Sequence, residues 1–392
     1  MRLSRRWAPE VAALAAVAPL VAGAPASAYY GGPEATSVLK WVAPGGRVVV
    51  RGRAEPGEVV GLVVGTRTIA VDTTGPRGRF VLAGSAPKVG RYRFALTARG
   101  GAVAIGRLRV RPLVLAAVGD VNLGDGVGTA ISAHGTRFPW LSVHGVLRRA
   151  DLALANLECA ISTRGSAVPG KEFTFRGKPA SLRTAARYAG LDVVSVANNH
   201  ALDFGRLAFH DTLANARRDG ISPFGGGRNL AAARRPAIRR VGGLRIAFLG
   251  YSDVRPPGFD AGPSRSGTAP AFPGLIAADV RSARQTADVV VVYFHWGIER
   301  TFSPTARQRS LARVAFDAGA EVVIGAHPHV QQPIRRTRRR LVAWSLGNFV
   351  FGATTPGTER TGILRIRLGR RGVLGYSFRR ARIVAYQPRL LR

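Results

Sequence analysis

Residues 321–333 read EVVIGAHPHVQQP, and the way this apolar run stops decides the fold. A short continuous apolar run reads as a fully buried strand, and Val322, Val323 and Ile324 supply one that ends at Gly325. His327 and His329 then fall just past its carboxyl end, with Pro328 removing a backbone donor and stiffening the turn between them. In an open α/β sheet that edge is where ligands bind.

The same pattern extends N-terminally. From Leu113 onward apolar strands, LVLAAV (113–118), LALAN (152–156), LDVVSVA (191–197), RIAFLG (245–250), DVVVVYF (288–294) and EVVIG (321–325), alternate with helix-length amphipathic segments. PASLRTAARYAG, GRLAFHDTLANARRDG and ARQRSLARVAFDAG are such segments, each closing on the glycine that commonly ends a helix. This alternation predicts an α/β layered domain over 113–392. RLVAWSL, GILRIRL and RARIVAY, after residue 332, predict an antiparallel addition to the sheet.

The polar residues at the strand ends carry the chemistry. LVLAAV runs into Gly119-Asp120-Val121-Asn122, and LALAN includes Asn156 and leads to Glu158. LDVVSVA ends in Asn198-Asn199-His200, DVVVVYF in His295-Trp296-Gly297, and EVVIG in His327 and His329. One such residue reads as a helix cap or a core histidine; five strand ends delivering Asp, Glu, Asn or His to one edge read as a site. The other histidines, His134, His144 and His210, fall in loop or helix-face contexts and read as structural. Mixed carboxylate, amide and imidazole donors suit a borderline divalent ion such as Mn, Fe or Zn rather than the oxygen-only cages of Ca or Mg. With no thiolate cluster, a structural zinc site is not expected. Trp296 and Trp344 read as packing residues before platforms for a sugar or base, and Asp203 either caps the following helix or orients the His200 imidazole. No G-x-S-x-G elbow or Walker A loop is present, and GDGVGT (124–129) lacks the third glycine of a dinucleotide fingerprint.

At 392 residues the chain exceeds one usual hydrophobic core. Residues 1–28 carry a basic start, an apolar stretch from Val11 to Ala24 and Ala26-Ser27-Ala28 as a small-residue cleavage site, which predicts an export signal cleaved near Ala28. Residues 33–112 are Gly- and Val-rich short runs separated by turn residues, which predicts a small all-β, immunoglobulin-like sandwich serving as an accessory domain. Cys159 is the only cysteine, so no internal disulfide forms, and its thiol is expected to be buried and inert. The net charge of +36 is nearly all arginine. In an exported chain that field concentrates polyanions, although arginine excess also follows from a GC-rich genome. Export removes the chain from the chromosome, so nucleic acid is not the expected partner.

AVGDVNLGD, ANLECAIS, VSVANNHALDFG, VYFHWGIERTFSPTARQRSLARVAFDAGAEVVIGAHPHVQQP and WSLGNFVFG together resemble the CapA family of bacterial poly-γ-glutamate capsule synthesis proteins. The fold of that family is similar to the calcineurin-like metallophosphoesterases. The resemblance spans about residues 113 to 352 and implies a four-layer α/β/β/α sandwich and two divalent metal ions. It implies Asp120, Glu158, Asn199, His295, His327 and His329 as ligands, with Glu158 in the bridging region. His200 becomes the candidate general acid, with Asn122, Asn156, Asn198, Asp203 and Asn348 around the ligands. The chain departs from the superfamily twice: the first motif is Asp-x-His there and Asp120-Val121-Asn122 here, and Asn156-Leu157-Glu158 stands where an Asp is usual. The implied activity is metal-dependent hydrolysis of phosphoester or γ-glutamyl and other amide bonds in an anionic polymer. The alternative is a non-catalytic role in binding, assembling or exporting that polymer, alongside membrane partners of capsule synthesis.

Overall fold

A computed structural model describes residues 32–353 and 355–391; the expected export signal lies outside the described residues. The chain divides into two compact units. The first comprises residues 32–40, Val49–Gly84 and Arg91–Leu108 and is β-rich. Within it Val59–Val64 pairs antiparallel with Arg67–Thr73, and Leu62, Phe80, Leu82, Phe94 and Leu96 are buried. The second unit comprises Trp41–Val48, Ser85–Gly90 and Arg109–Arg392.

Two mixed sheets build the second unit. The strands of the first are β1 (Leu113–Val121), β2 (Leu152–Leu157), β3 (Val193–Ser195) and β4 (Ser222–Phe224), all parallel. The second is built on β5 (Ala237–Val241), β6 (Leu244–Ser252), β7 (Val289–His295), β8 (Val322–Ala326), β9 (Ile334–Thr337) and β10 (Arg340–Ala343), in the order β5-β6-β7-β8-β10-β9. The short β11 (Asn348–Val350) returns to pair with β1, and β12 (Arg360–Gly369), β13 (Gly372–Val384) and β14 (Gln387–Leu390) complete the first sheet antiparallel beyond β1. RLVAWSL departs from expectation: it enters as β10, parallel to β8, while its antiparallel neighbour β9 forms the sheet edge.

Three buried clusters give the layers. Leu115, Leu154, Phe248, Val291, Ile324 and Ile366 belong to one core shared by both sheets. Tyr293, fully buried in it, donates its hydroxyl to the Val118 carbonyl at 3.0 Å and so ties the sheets together across the core. The outer face of the first sheet packs on α1 (Asp125–His134), α2 (Pro179–Thr184) and α3 (Gly205–Arg218). A short α4 (Leu230–Ala233) follows β4, and α5 (Pro273–Thr286) and α6 (Ala306–Asp317) cover the outer face of the second sheet. Each large aliphatic side chain buried this way contributes about 1.5–3 kcal/mol relative to exposure. The helices begin where local chemistry allows. Pro273 sits in the first turn of α5, and Thr305 and Gln308 form a reciprocal capping box on α6. α2 runs into a wider π turn (Ala185–Ala189) that stops at Gly190 in the left-handed region, φ 81°. No helix among the described residues is long and apolar enough to cross a membrane.

Candidate metal centre

Because β1, β2, β3, β6, β7 and β8 run parallel within their sheets, their carboxyl ends deliver the polar residues that come after them to one edge. Asp120 is aimed by a bulge: Leu154 lies opposite Ala117 but Asn156 opposite Asp120, so β1 holds one residue more than β2 over that stretch. Gly119 precedes it because a Cβ there would stand 1.8 Å from the Gly347 carbonyl oxygen. At the end of β8, Gly325 lets the strand pass beneath Trp344 and Trp296; a Cβ would stand 2.1 Å from the Trp344 oxygen and 2.3 Å from the Trp296 Nε1. His327 and His329 then take φ of 96° and 57°, a left-handed conformation rare for residues with a Cβ, on either side of Pro328. Holding them there costs on the order of 1–3 kcal/mol each, the kind of strain that clusters at functional sites.

The side chains converge. Glu158, His295 and His327 offer ligand atoms within 4.8 Å of one another, as do Asp120, Glu158 and His329, and a third group adds Glu299 to His327 and His329. Glu158 belongs to two of these groups. Its Oε1 lies 3.5 Å from His295 Nε2 and 4.0 Å from His200 Nε2, and His329 Nδ1 lies 3.5 Å from Asp120 Oδ2. Asn199 Oδ1 accepts from His295 Nε2 at 2.7 Å, which places the amide oxygen among the same donors.

The asparagines divide in function. Asn156 is a hub: its amide donates to Asp120 Oδ1 at 2.8 Å and approaches Glu158 Oε2 at 3.5 Å and His295 Nδ1 at 3.3 Å. Asn198 braces Asn156 and the Leu157 carbonyl and accepts the His200 backbone N–H. Asn348 accepts from His329 Nδ1 at 2.8 Å. Asn122 turns away, its Oδ1 accepting the Gly124 N–H to close the loop before α1.

Asp203 takes the second of its two sequence readings. The helix it precedes has no side-chain cap, and the carboxylate instead accepts from His200 Nδ1 at 2.7 Å, from the Phe175 N–H at 2.7 Å and from Lys171 Nζ. It therefore orients the imidazole. Trp296 and Trp344 pack as expected: the Trp296 ring is fully buried, stacks on Phe294 at 4.3 Å and donates to the Trp344 carbonyl. Cys159 is buried and inert, its thiol pushed up to about 12 by burial.

Two residues of the site escaped the sequence reading. Glu299 lies in the loop after β7. Lys171, in the loop before α2, donates to the Asn199 carbonyl and to Asp203 and stands 3.0 Å from His200 Nδ1. One signal was available for it: the chain has four lysines among 58 Lys and Arg, and a compact ammonium replaces the usual guanidinium here.

The electrostatics fit a cation. Asp120 and Glu158 are both fully buried, and burial together with Asp120 holds the Glu158 carboxyl well above its ordinary range. Burial, reinforced by mutual repulsion, holds His295 well below the usual imidazole range and His327 at about 3. Burial also lowers His200, against the opposing pull of Asp203. Neutral imidazoles are the ligand form a divalent ion requires, and a bound cation would draw the proton from Glu158 and relieve the repulsion with Asp120. Glu158 Oε1 and His327 Nδ1, moreover, are buried polar atoms with no hydrogen-bond partner. A protein rarely leaves such atoms orphaned without a ligand to satisfy them, so the residues fit the group.

Residues 114–353 match the family model described as bacterial capsule synthesis protein PGA_cap. PGA biosynthesis protein CapA of Bacillus subtilis (strain 168) is 32% identical over 257 residues, 65% of this chain and 67% of the relative. Capsule biosynthesis protein CapA of Bacillus anthracis is 28% identical over 263 residues, 65% of this chain and 64% of the relative. The chain thus spans about two thirds of the length of these curated relatives. Among solved structures, a 5'-nucleotidase precursor from Thermus thermophilus aligns with a TM-score of 0.43 at 15% identity, covering 71% of this chain and 54% of that one.

Proposed function

Because the chain belongs to the bacterial capsule synthesis protein family PGA_cap, we propose that it acts outside the cytoplasmic membrane on the anionic capsule polymer, as a divalent-metal-dependent hydrolase of phosphoester or γ-glutamyl amide bonds. The observation that carries this reading is the pair of orphaned buried atoms, Glu158 Oε1 and His327 Nδ1, inside adjoining carboxylate and histidine groups.

Glu158, His295, His327 and the Asn199 amide oxygen would hold one ion, and Asp120, His329 and Glu158 a second, with Glu299 at the open side. Two such ions supply Lewis-acid polarisation of the scissile group and lower the pKa of water. The chain's own residues handle the proton. An ionised carboxylate only accepts, so the 2.7 Å contact with Asp203 fixes a proton on His200 Nδ1. That leaves Nε2, on the Glu158 side, to take up a proton and return it to a leaving oxygen or nitrogen. Lys171 shares Asp203 and grips the Asn199 carbonyl, so one ammonium positions both the acid and a ligand strand. The Phe175 ring stacks on His200 at 4.2 Å and holds its plane.

The anionic partner is supported by the charge of +36, and export by residues 1–28. The accessory role of residues 33–112 and contact with membrane partners of capsule synthesis belong to the same proposal. The test is turnover of a generic phosphodiester and of a γ-glutamyl anilide with added Mn, wild type against His200→Ala. A loss of about 10²–10⁴-fold with metal content unchanged is expected of a general acid. No turnover of either substrate by metal-loaded wild type would replace this reading with a polymer-binding or assembly role.

A further inference from the structure

A cavity of about 520 Å³ opens between α3, the loops flanking α4 and the start of β5, and none of the metal-edge residues lines it. Its volume falls within the range of small-molecule and oligomer sites. Arg217, Arg228 and Arg235 line it together with His210, and no Asp or Glu does. His210, Leu213 and Arg217 occupy one face of α3, at spacings of three and four residues. Arg228 follows Gly226-Gly227, and Arg235 follows α4.

Their immediate neighbours behave differently. Arg234 is paired with Asp279 at 2.7 Å and Arg218 with Asp219 at 3.4 Å. Among the described residues no side-chain hydrogen bond or ion pair engages the three guanidiniums in the cavity. Three unneutralised cations around one concavity raise its positive potential, which is relieved when an anion enters. Guanidinium forks match planar carboxylates bidentately. Arms from three separate segments suit charges repeated along a ligand better than one small anion.

The geometry points to a second site on this chain, a cradle for a short stretch of linear polycarboxylate, lined by Arg217, Arg228 and Arg235 and separate from the metal edge. The choice of a polycarboxylate over a polyphosphate rests on the capsule-polymer reading; the ring of unpaired arginines does not.

The test is fluorescence anisotropy of a labelled γ-linked glutamate hexamer with the full chain in EDTA, so that metal-site failure cannot enter. Each hydrogen bond to a charged group is worth enough that losing the three arginines in Arg217→Ala/Arg228→Ala/Arg235→Ala should weaken binding by about tenfold or more. Arg335→Ala/Arg336→Ala/Arg371→Ala removes the same three charges from β9 and the β12–β13 turn and should change it by less than about threefold. Equal weakening by both triples, or by neither, overturns the site. If the pocket triple does not fold, Arg228→Ala alone gives the comparison against Arg336→Ala under the same criterion. Unlabelled hexamer should displace the probe at lower concentration than tripolyphosphate; the reverse order overturns the polycarboxylate assignment.

Discussion

Asp203→Asn removes one charge from a fully buried carboxylate that serves three donors. The amide is nearly isosteric, but it keeps a single acceptor oxygen and turns its other end into a donor. At least one of Lys171, His200 and the Phe175 N–H must then face an NH₂ group. Breaking a buried ion pair from one side costs about 3–5 kcal/mol. Lys171 keeps the Asn199 carbonyl and its side chain is 18% exposed, which places the cost near the lower end, about 3 kcal/mol. At about 2–4 °C per kcal/mol for a unit of this size, the melting temperature should fall by roughly 6–12 °C. Calorimetry of wild type, Asp203→Asn, Lys171→Met and the double variant closes a thermodynamic cycle. The double variant no longer strands an ammonium and should be less destabilised than the sum of the singles, by about 0.5–3 kcal/mol. A shift in Asp203→Asn of less than about 1 °C would refute the buried hub.

Three further outcomes are expected. Gly325→Ala forces a methyl against the Trp344 carbonyl and the Trp296 ring and should destabilise by about 1–3 kcal/mol or more, read from denaturant midpoints; a neutral effect would mean the end of β8 is loose. Asn156→Ala removes the donor that orients Asp120 and faces Glu158 and His295, and should weaken metal affinity by about 10–100-fold in competition with a chelating dye; unchanged affinity would deny Asn156 its place. Cys159, buried and with its thiol held at about 12, should resist a thiol reagent at mildly alkaline pH in the native protein and react at once in denaturant; fast native labelling would show the β2 end to be open.

The strand ends were legible because burial writes itself into composition. β7 is seven buried residues closing on His295, and β8 five ending just before His327, so each polar residue after an apolar run marks an edge. Parallel neighbours then bring those edges together with no further information. Direction was harder to read: the short apolar run of β10 looks the same whether it joins β8 parallel or antiparallel, and pairing is settled by contacts distant in sequence. Asp203 reads two ways in sequence for a related reason. An acid ahead of a helix is a local cap by default, and only the fold brings Lys171 from 32 residues away to claim it. Glu299 and Lys171 lie in loops without periodicity, where sequence carries composition but no direction. The left-handed backbone at His327 and His329 is likewise invisible in the string, since neither position carries glycine.

Metal at this edge separates a hydrolase from a polymer-binding protein. Elemental analysis of untagged protein, wild type beside His327→Ala, measures it directly. About two equivalents of a divalent transition metal in wild type, with a clear loss in the variant while the fold persists by circular dichroism, is the expected result. A wild type that stays metal-free after incubation with Mn, Fe and Zn would contradict it, and Glu158 Oε1 and His327 Nδ1 would need another partner.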